Sequence, residues 1–170
     1  MSGPVPTPTR HRRATAWLAD YIYGTIVTLV AIAGLTLEAR PTALVSAAVV
    51  GVGAAAIWLA HGLSQLVSRR ADEGVQLSAR DVWDELRHSW SIVSAALPAT
   101  GAFLLAGLGV WTMRTAFQVA DAVGIVALAV VGIATAGGRE RPLGRRIAYV
   151  SLVVLTGLAI VLLEAGIHLL

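Results

Sequence analysis

Residues 41–68 read PTALVSAAVVGVGAAAIWLAHGLSQLVS, 28 positions between Arg40 and Arg69 without an Asp, Glu, Lys or Arg. A helix rises about 1.5 Å per residue and the hydrocarbon core of a bilayer is about 30 Å thick, so such a run crosses a membrane as one helix. Working outward, four more runs carry the same signature: 17 residues between Asp20 and Glu38, 25 between His88 and Arg114, 17 between Asp121 and Arg139, and 17 between Arg146 and Glu164. The expected spans are therefore about 20–38, 42–68, 90–113, 117–138 and 146–169. Composition agrees, since 56% of the 170 residues are hydrophobic and 14% charged, against roughly 25% charged in a soluble domain. The mean hydropathy of +0.75 belongs to a bilayer-resident chain. A transmembrane barrel would show roughly ten-residue segments alternating apolar and polar, and none occurs. The expected fold class is all-α: a polytopic membrane protein with five transmembrane helices and one short cytoplasmic amphipathic helix.

The net charge of +3 comes from 13 arginines and no lysine, placed at the ends of the apolar runs. Eleven fall on one side: Arg10, Arg12, Arg13, Arg69, Arg70, Arg80, Arg87, Arg139, Arg141, Arg145 and Arg146. Only Arg40 and Arg114 fall on the other. Basic loops stay in the cytoplasm, which puts the N-terminus inside and the C-terminus outside. The arginine-only, alanine-rich usage has a bacterial character, and the cell membrane is the expected location. Residues 1–13, with Pro4, Pro6 and Pro8 among Ser, Gly and Thr, read as a disordered cytoplasmic tail, and 14–170 as a single transmembrane domain. Arg10 to Arg13 also resemble the n-region of a signal peptide, with Ala31-Ile32-Ala33 as a cleavage site. Asp20 and the length of the apolar run favour a first span instead.

Helices in lipid associate through small residues that let backbones approach. Gly51 with Ala55, beside Gly53, supplies such a surface in the second span, Gly101, Gly107 and Gly109 in the third, and Gly124 with Gly132 in the fourth. Pro98 frees a carbonyl near Ser94 and predicts a kink there.

Between the second and third spans the composition changes. Ser78-Ala79-Arg80-Asp81 has the S-x-x-D form of a capping box, which starts a connector helix over 78–90. Val82, Leu86 and Trp90 recur every four residues, with Trp83 adjacent, and Asp81, Asp84, Glu85 and His88 occupy another face. The apolar side is expected in the membrane interface with Trp83 and Trp90 at headgroup level. The polar side has two readings. Glu85 and His88 form a Glu-x-x-His pair of the kind used in helix-bundle metal sites, with Asp81 and Asp84 as added oxygen ligands. Alternatively Arg80 pairs with Asp84 and the face is simply solvated.

An ionisable side chain in hydrocarbon costs at least about 2.5 to 3.5 kcal/mol, so each one needs a partner or a purpose. His61 lies eight residues before Arg69, about 12 Å inside the end of the second span, with Gln65 one turn beyond. It serves either as a hydrogen-bonding group between helices or as part of an ion pathway. Glu164, with His168 one turn on, is either a terminal pair or a proton site. Asp20 and Asp121 fall at expected helix starts, where a carboxylate is a favourable cap.

Tyr23-Gly24-Thr25-Ile26-Val27-Thr28-Leu29, running on to Ala33-Gly34-Leu35, looks like the first span of the vacuolar iron transporter family, with Tyr23 in the place of that family's carboxylate. Gln65-Leu66-Val67-Ser68 before Arg69 and Arg70 is similar to the end of that family's second span, with Gln65 where the family has glutamate and His61 where it often has methionine. The resemblance, clearest over the first two spans, implies a homodimer that exchanges a divalent cation for protons, with a metal-collecting segment after the second span. It implies a transport pathway of His61, Asp20, Gln65, Tyr23 and Glu164, Asp20 replacing the missing carboxylate, and metal collection by Asp81, Asp84, Glu85 and His88. Fe, Mn or Zn is then the substrate, since histidine admits these ions, and there is no permanently bound cofactor.

The other reading is a non-transporting accessory or structural subunit that binds a membrane or cytoplasmic protein partner, or anionic lipid, through the connector helix. An enzyme is not expected: there is no Cys, no Lys, no His-Glu-x-x-His and no Gly-x-Ser-x-Gly, so nucleophilic and metalloprotease schemes lack their residues. The basic loops are too sparse for nucleic acid.

Overall fold

The computed structural model describes residues 10–38, 40–73 and 78–135, together with the helical positions Ser151, Leu155 and Ala159. Apart from those three positions, the expected fifth span and Glu164 lie outside the described residues. Among the described residues five helices have assigned bounds, in order: α1 Arg10–Thr36, α2 Ala43–Glu73, α3 Ala79–His88, α4 Ser91–Gly107 and α5 Met113–Thr135. No strand occurs among the described residues. Stretches within α1, α2 and α5 (Trp17–Thr36, Ala43–Ala71 and Met113–Ala134) are each long and apolar enough to cross a membrane, and α3 with α4 passes the same test only as a pair bent by 50°.

The helix boundaries differ from those expected. α1 starts at Arg10, inside the stretch expected to be a tail, and α2 runs on to Glu73. Asp20 is therefore almost three turns inside α1 and Asp121 two turns inside α5, so neither caps a helix. Thr112 caps α5 instead: its hydroxyl accepts from the Thr115 amide at 3.2 Å and its carbonyl from the Ala116 amide at 3.0 Å.

α4 stops at Gly107 rather than near 113. Gly109 adopts φ 75°, its amide donates to the Ala106 carbonyl at 3.0 Å, and the Val110 amide donates to Leu105 at 3.0 Å. This is a Schellman C-cap, which glycine enters without a Cβ penalty. At 17 residues, α4 rises only about 25 Å. It continues through Pro98, and the bend lies at the junction with α3.

α4 is the central helix, packed against α1, α2 and α5. Its buried face is Ser91, Ile92, Ala95, Ala96, Ala99, Ala102 and Phe103, mostly small residues that allow close approach. Ala47, Val50 and Ala54 of α2 meet it from one side, with Ile32 and Leu35 of α1 and Ala116 and Ala120 of α5 completing the core. Phe103 and Phe117 make an edge-to-face contact at 5.0 Å. The closest approach is at Gly24, where a Cβ would stand 2.7 Å from the Ile92 carbonyl oxygen. The outer faces carry exposed Val30, Leu44, Val52, Leu63, Val126 and Ile133. A chain with apolar residues outside as well as inside is solvated by lipid.

Among the glycines read as packing surfaces, Gly51 meets Thr100, Gly107 meets Leu44 and Gly124 meets Leu29. Gly53 and Gly101 face open space, and Gly109 serves the turn. Gly24 and Gly62 make close contacts that spacing alone did not single out.

Candidate functional site

α1 and α2 bring Asp20 and His61 together inside their apolar stretches. The Asp20 Oδ1 stands 3.5 Å from His61 Nε2, and both side chains are mostly enclosed, at 16% and 28% exposure. The Tyr23 ring, three residues along α1, lies 6.2 Å from the imidazole. Positions 20 and 23 share a helix face, so one face of α1 presents both groups to α2. Gln65 is one turn beyond His61 and is exposed. Of the residues expected to line a pathway, three converge, Gln65 flanks them, and Glu164 lies outside the described residues.

A carboxylate beside an imidazole holds a proton between two sites of different basicity, and the same pair offers one oxygen and one nitrogen donor to a cation. Two such donors are fewer than the four or more that a bound divalent cation takes. Beyond the pair, an apolar cleft of ≈ 40 Å³ runs along α1 and α2, lined by Gly24, Thr28, Val50, Gly53, Ala54 and Ile92 among others. It has room for a few waters at most. The Thr28 hydroxyl donates back to the Gly24 carbonyl at 2.8 Å.

The connector residues expected to collect metal are engaged separately. Asp81 closes the capping box: its Oδ2 accepts from the Ser78 amide at 2.8 Å and the Ser78 hydroxyl at 2.6 Å, while the Asp81 amide donates to the Ser78 hydroxyl at 3.3 Å. These bonds from Ser78, its hydroxyl foremost, hold the Asp81 carboxyl below the usual carboxylate range. Glu85 is buried and its Oε2 accepts from Arg69 Nη2 at 2.7 Å. The guanidinium that ties the connector down thus comes from α2, rather than from Arg80 within α3. Asp84 is exposed, and His88 lies on the last turn of α3. Among the described residues, no three or more His, Cys, Asp or Glu side chains gather as a metal site.

Trp58 is the residue whose role the sequence did not reveal. Its indole Nε1 donates to the Leu86 carbonyl at 2.8 Å, and its ring meets Trp90 edge-on at 5.4 Å. Leu86 fills the space that Gly62 leaves, a Cβ there standing 2.8 Å from Leu86 Cδ2. The apolar side of α3 is thus spent largely on α2, while Trp83 points outward. A tryptophan one turn before a glycine in an apolar run was the available signal, and it reads equally as a membrane-interface anchor.

The chain matches no family model, no curated protein and no solved structure.

Proposed function

We propose that the protein is a small homodimeric membrane transporter that exchanges a divalent cation for protons, with Asp20 and His61 as its ion-carrying pair. The observation that carries this reading is the 3.5 Å contact of a carboxylate and an imidazole within two apolar helices, where an ionisable group without a purpose is costly. Tyr23 adds a phenol at the edge of the pair. Two donors per chain fall short of a full coordination shell, which is why the pathway is placed between two copies. The arginine count puts the N-terminus and α3 in the cytoplasm of the cell membrane, so the pair lies at the inner end of the path. Fe, Mn and Zn as cargo follow from the nitrogen and oxygen donors and from the resemblance to vacuolar iron transporters.

The test is purified protein in liposomes, with Fe²⁺, Mn²⁺ and Zn²⁺ entry followed under an imposed pH gradient. Flux is expected to rise with the gradient and to vanish in Asp20→Asn and His61→Ala at unchanged helicity. Flux that persists undiminished in both variants sinks the pair as the carrier.

One observation favours the second reading, a non-transporting subunit. Trp83 of α3 is 64% exposed, with Arg80 and Arg87 also exposed along that helix. A tryptophan between arginines suits anionic lipid or an acidic partner surface. No flux of any ion by the folded, correctly oriented protein supports that reading.

A further inference from the structure

The α3–α4 elbow packs against the immediate neighbours of the Asp20–His61 pair. Leu86 sits on Gly62, next to His61. Trp58, three residues before His61, holds the Leu86 carbonyl. On the other side Ile92 presses its backbone onto Gly24, next to Tyr23. His88 lies between these two contacts along the chain. The elbow thus packs against the residues that flank the pair on both α1 and α2.

The way α3 is fastened differs from the way the core is packed. Among the described residues α4 meets three helices through a continuous apolar face, whereas α3 makes a much smaller contact, chiefly with α2. It does so through one indole hydrogen bond, one leucine and one ion pair. Glu85 is only 6% exposed while Arg69 is 56% exposed, so a buried carboxylate depends on a guanidinium that water can reach. Breaking such a pair leaves an unpaired buried charge, which drives the carboxylate back to water and the helix with it. A short amphipathic helix with few contacts belongs to the parts of a protein that open locally.

We propose that α3 is a latch that closes the cytoplasmic end of the Asp20–His61 site, held shut by the Arg69–Glu85 pair, and that release of this pair swings α3 off α2 and opens the site. The proposal rests on the transport reading for its purpose, but the movement itself is tested without transport. Carbethoxylation of His61 by diethyl pyrocarbonate, mapped by peptide mass, reports access to the site in protein held in bilayers. Arg69→Ala is expected to raise the His61 labelling rate on the order of tenfold, as loss of a charge-assisted bond does to an opening equilibrium. The exchanged pair Arg69→Glu with Glu85→Arg is expected to bring it back toward the original rate.

The chain has no cysteine, so Gly62→Cys with Leu86→Cys creates its sole disulfide. The second substitution removes the side chain that a Cβ at 62 would otherwise strike. Oxidation is expected to lower His61 labelling below that of the unmodified protein, and reductant to restore it. The cross-linked form decides the matter alone if Arg69→Ala loses helicity. Equal labelling of His61 in the open, unmodified and cross-linked forms overturns the latch. Flux measured beside it separates the two claims: labelling that follows the latch with no flux in any form removes the transport reading only. Flux with unchanging labelling removes the latch only.

Discussion

Gly24 shows how much one missing methyl decides. A Cβ there would stand 2.7 Å from the Ile92 carbonyl oxygen and 2.8 Å from its Cα, and neither atom can move without the α4 backbone. Alanine is the better helix former by about 1 kcal/mol, yet overpacking against backbone costs about 1–3 kcal/mol, so the steric term wins. Gly24→Ala is expected to destabilise the folded bundle by up to about 2 kcal/mol, read from reversible unfolding in mixed micelles. A more stable variant would mean that α1 and α4 do not touch there. At Gly124 the same substitution meets the Leu29 side chain rather than backbone, its Cδ2 at 2.7 Å. The two glycines look alike in sequence and differ only in what lies opposite.

At the scale of the element, α3 carries its own start signal. Ser78 and Asp81 form the reciprocal bonds of a capping box, and the S-x-x-D spacing makes that start legible in the sequence itself. The Asp81 carboxyl is held below the usual range by Ser78. A depressed carboxyl contributes its stabilisation above its unfolded pKa and loses it as pH falls through the lower folded value. The Asp81 carboxyl ¹³C shift is therefore expected to titrate at a lower pH than an ordinary aspartate. Ser78→Ala should move that midpoint upward, and an unmoved midpoint would show that the cap does not set it. The end of α4 is less legible. Residues 89–113 form one uncharged run, and charge counting does not detect a Schellman turn inside apolar sequence. The Gly107-Leu108-Gly109 triplet followed by Thr112 is the local signal, because a left-handed glycine and a hydroxyl cap mark a stop and a start.

For the whole molecule, the arginine distribution predicts which ends share a side of the membrane. In the cysteine-free chain, Ala79→Cys is expected to react with an impermeant maleimide only from the cytoplasmic face. Leu108→Cys, at a position 78% exposed, should react only from the outside. Reaction of both from one face would contradict the orientation. Among the described residues three helices are each long and apolar enough to span, and α3 with α4 passes that test only as a bent pair. The bend arises because five charged residues between positions 80 and 87 keep α3 out of hydrocarbon while α4 is almost wholly apolar.

The all-α, membrane-embedded character was determined by sequence alone, because the cost of burying charge in lipid is local and can be counted along the chain. The α3 cap was determined the same way, since it needs only residues three apart. The partners of the ionisable side chains were decided by tertiary structure. Asp20 has the sequence context of a helix cap, but α1 begins at Arg10, and Asp20 meets His61 only because α1 and α2 pack side by side. Glu85 has the spacing of a metal ligand, but Arg69, 16 positions away in sequence, reaches it across the connector. Pairing across helices depends on register and rotation, which apolar sequence leaves open and close packing of small residues settles.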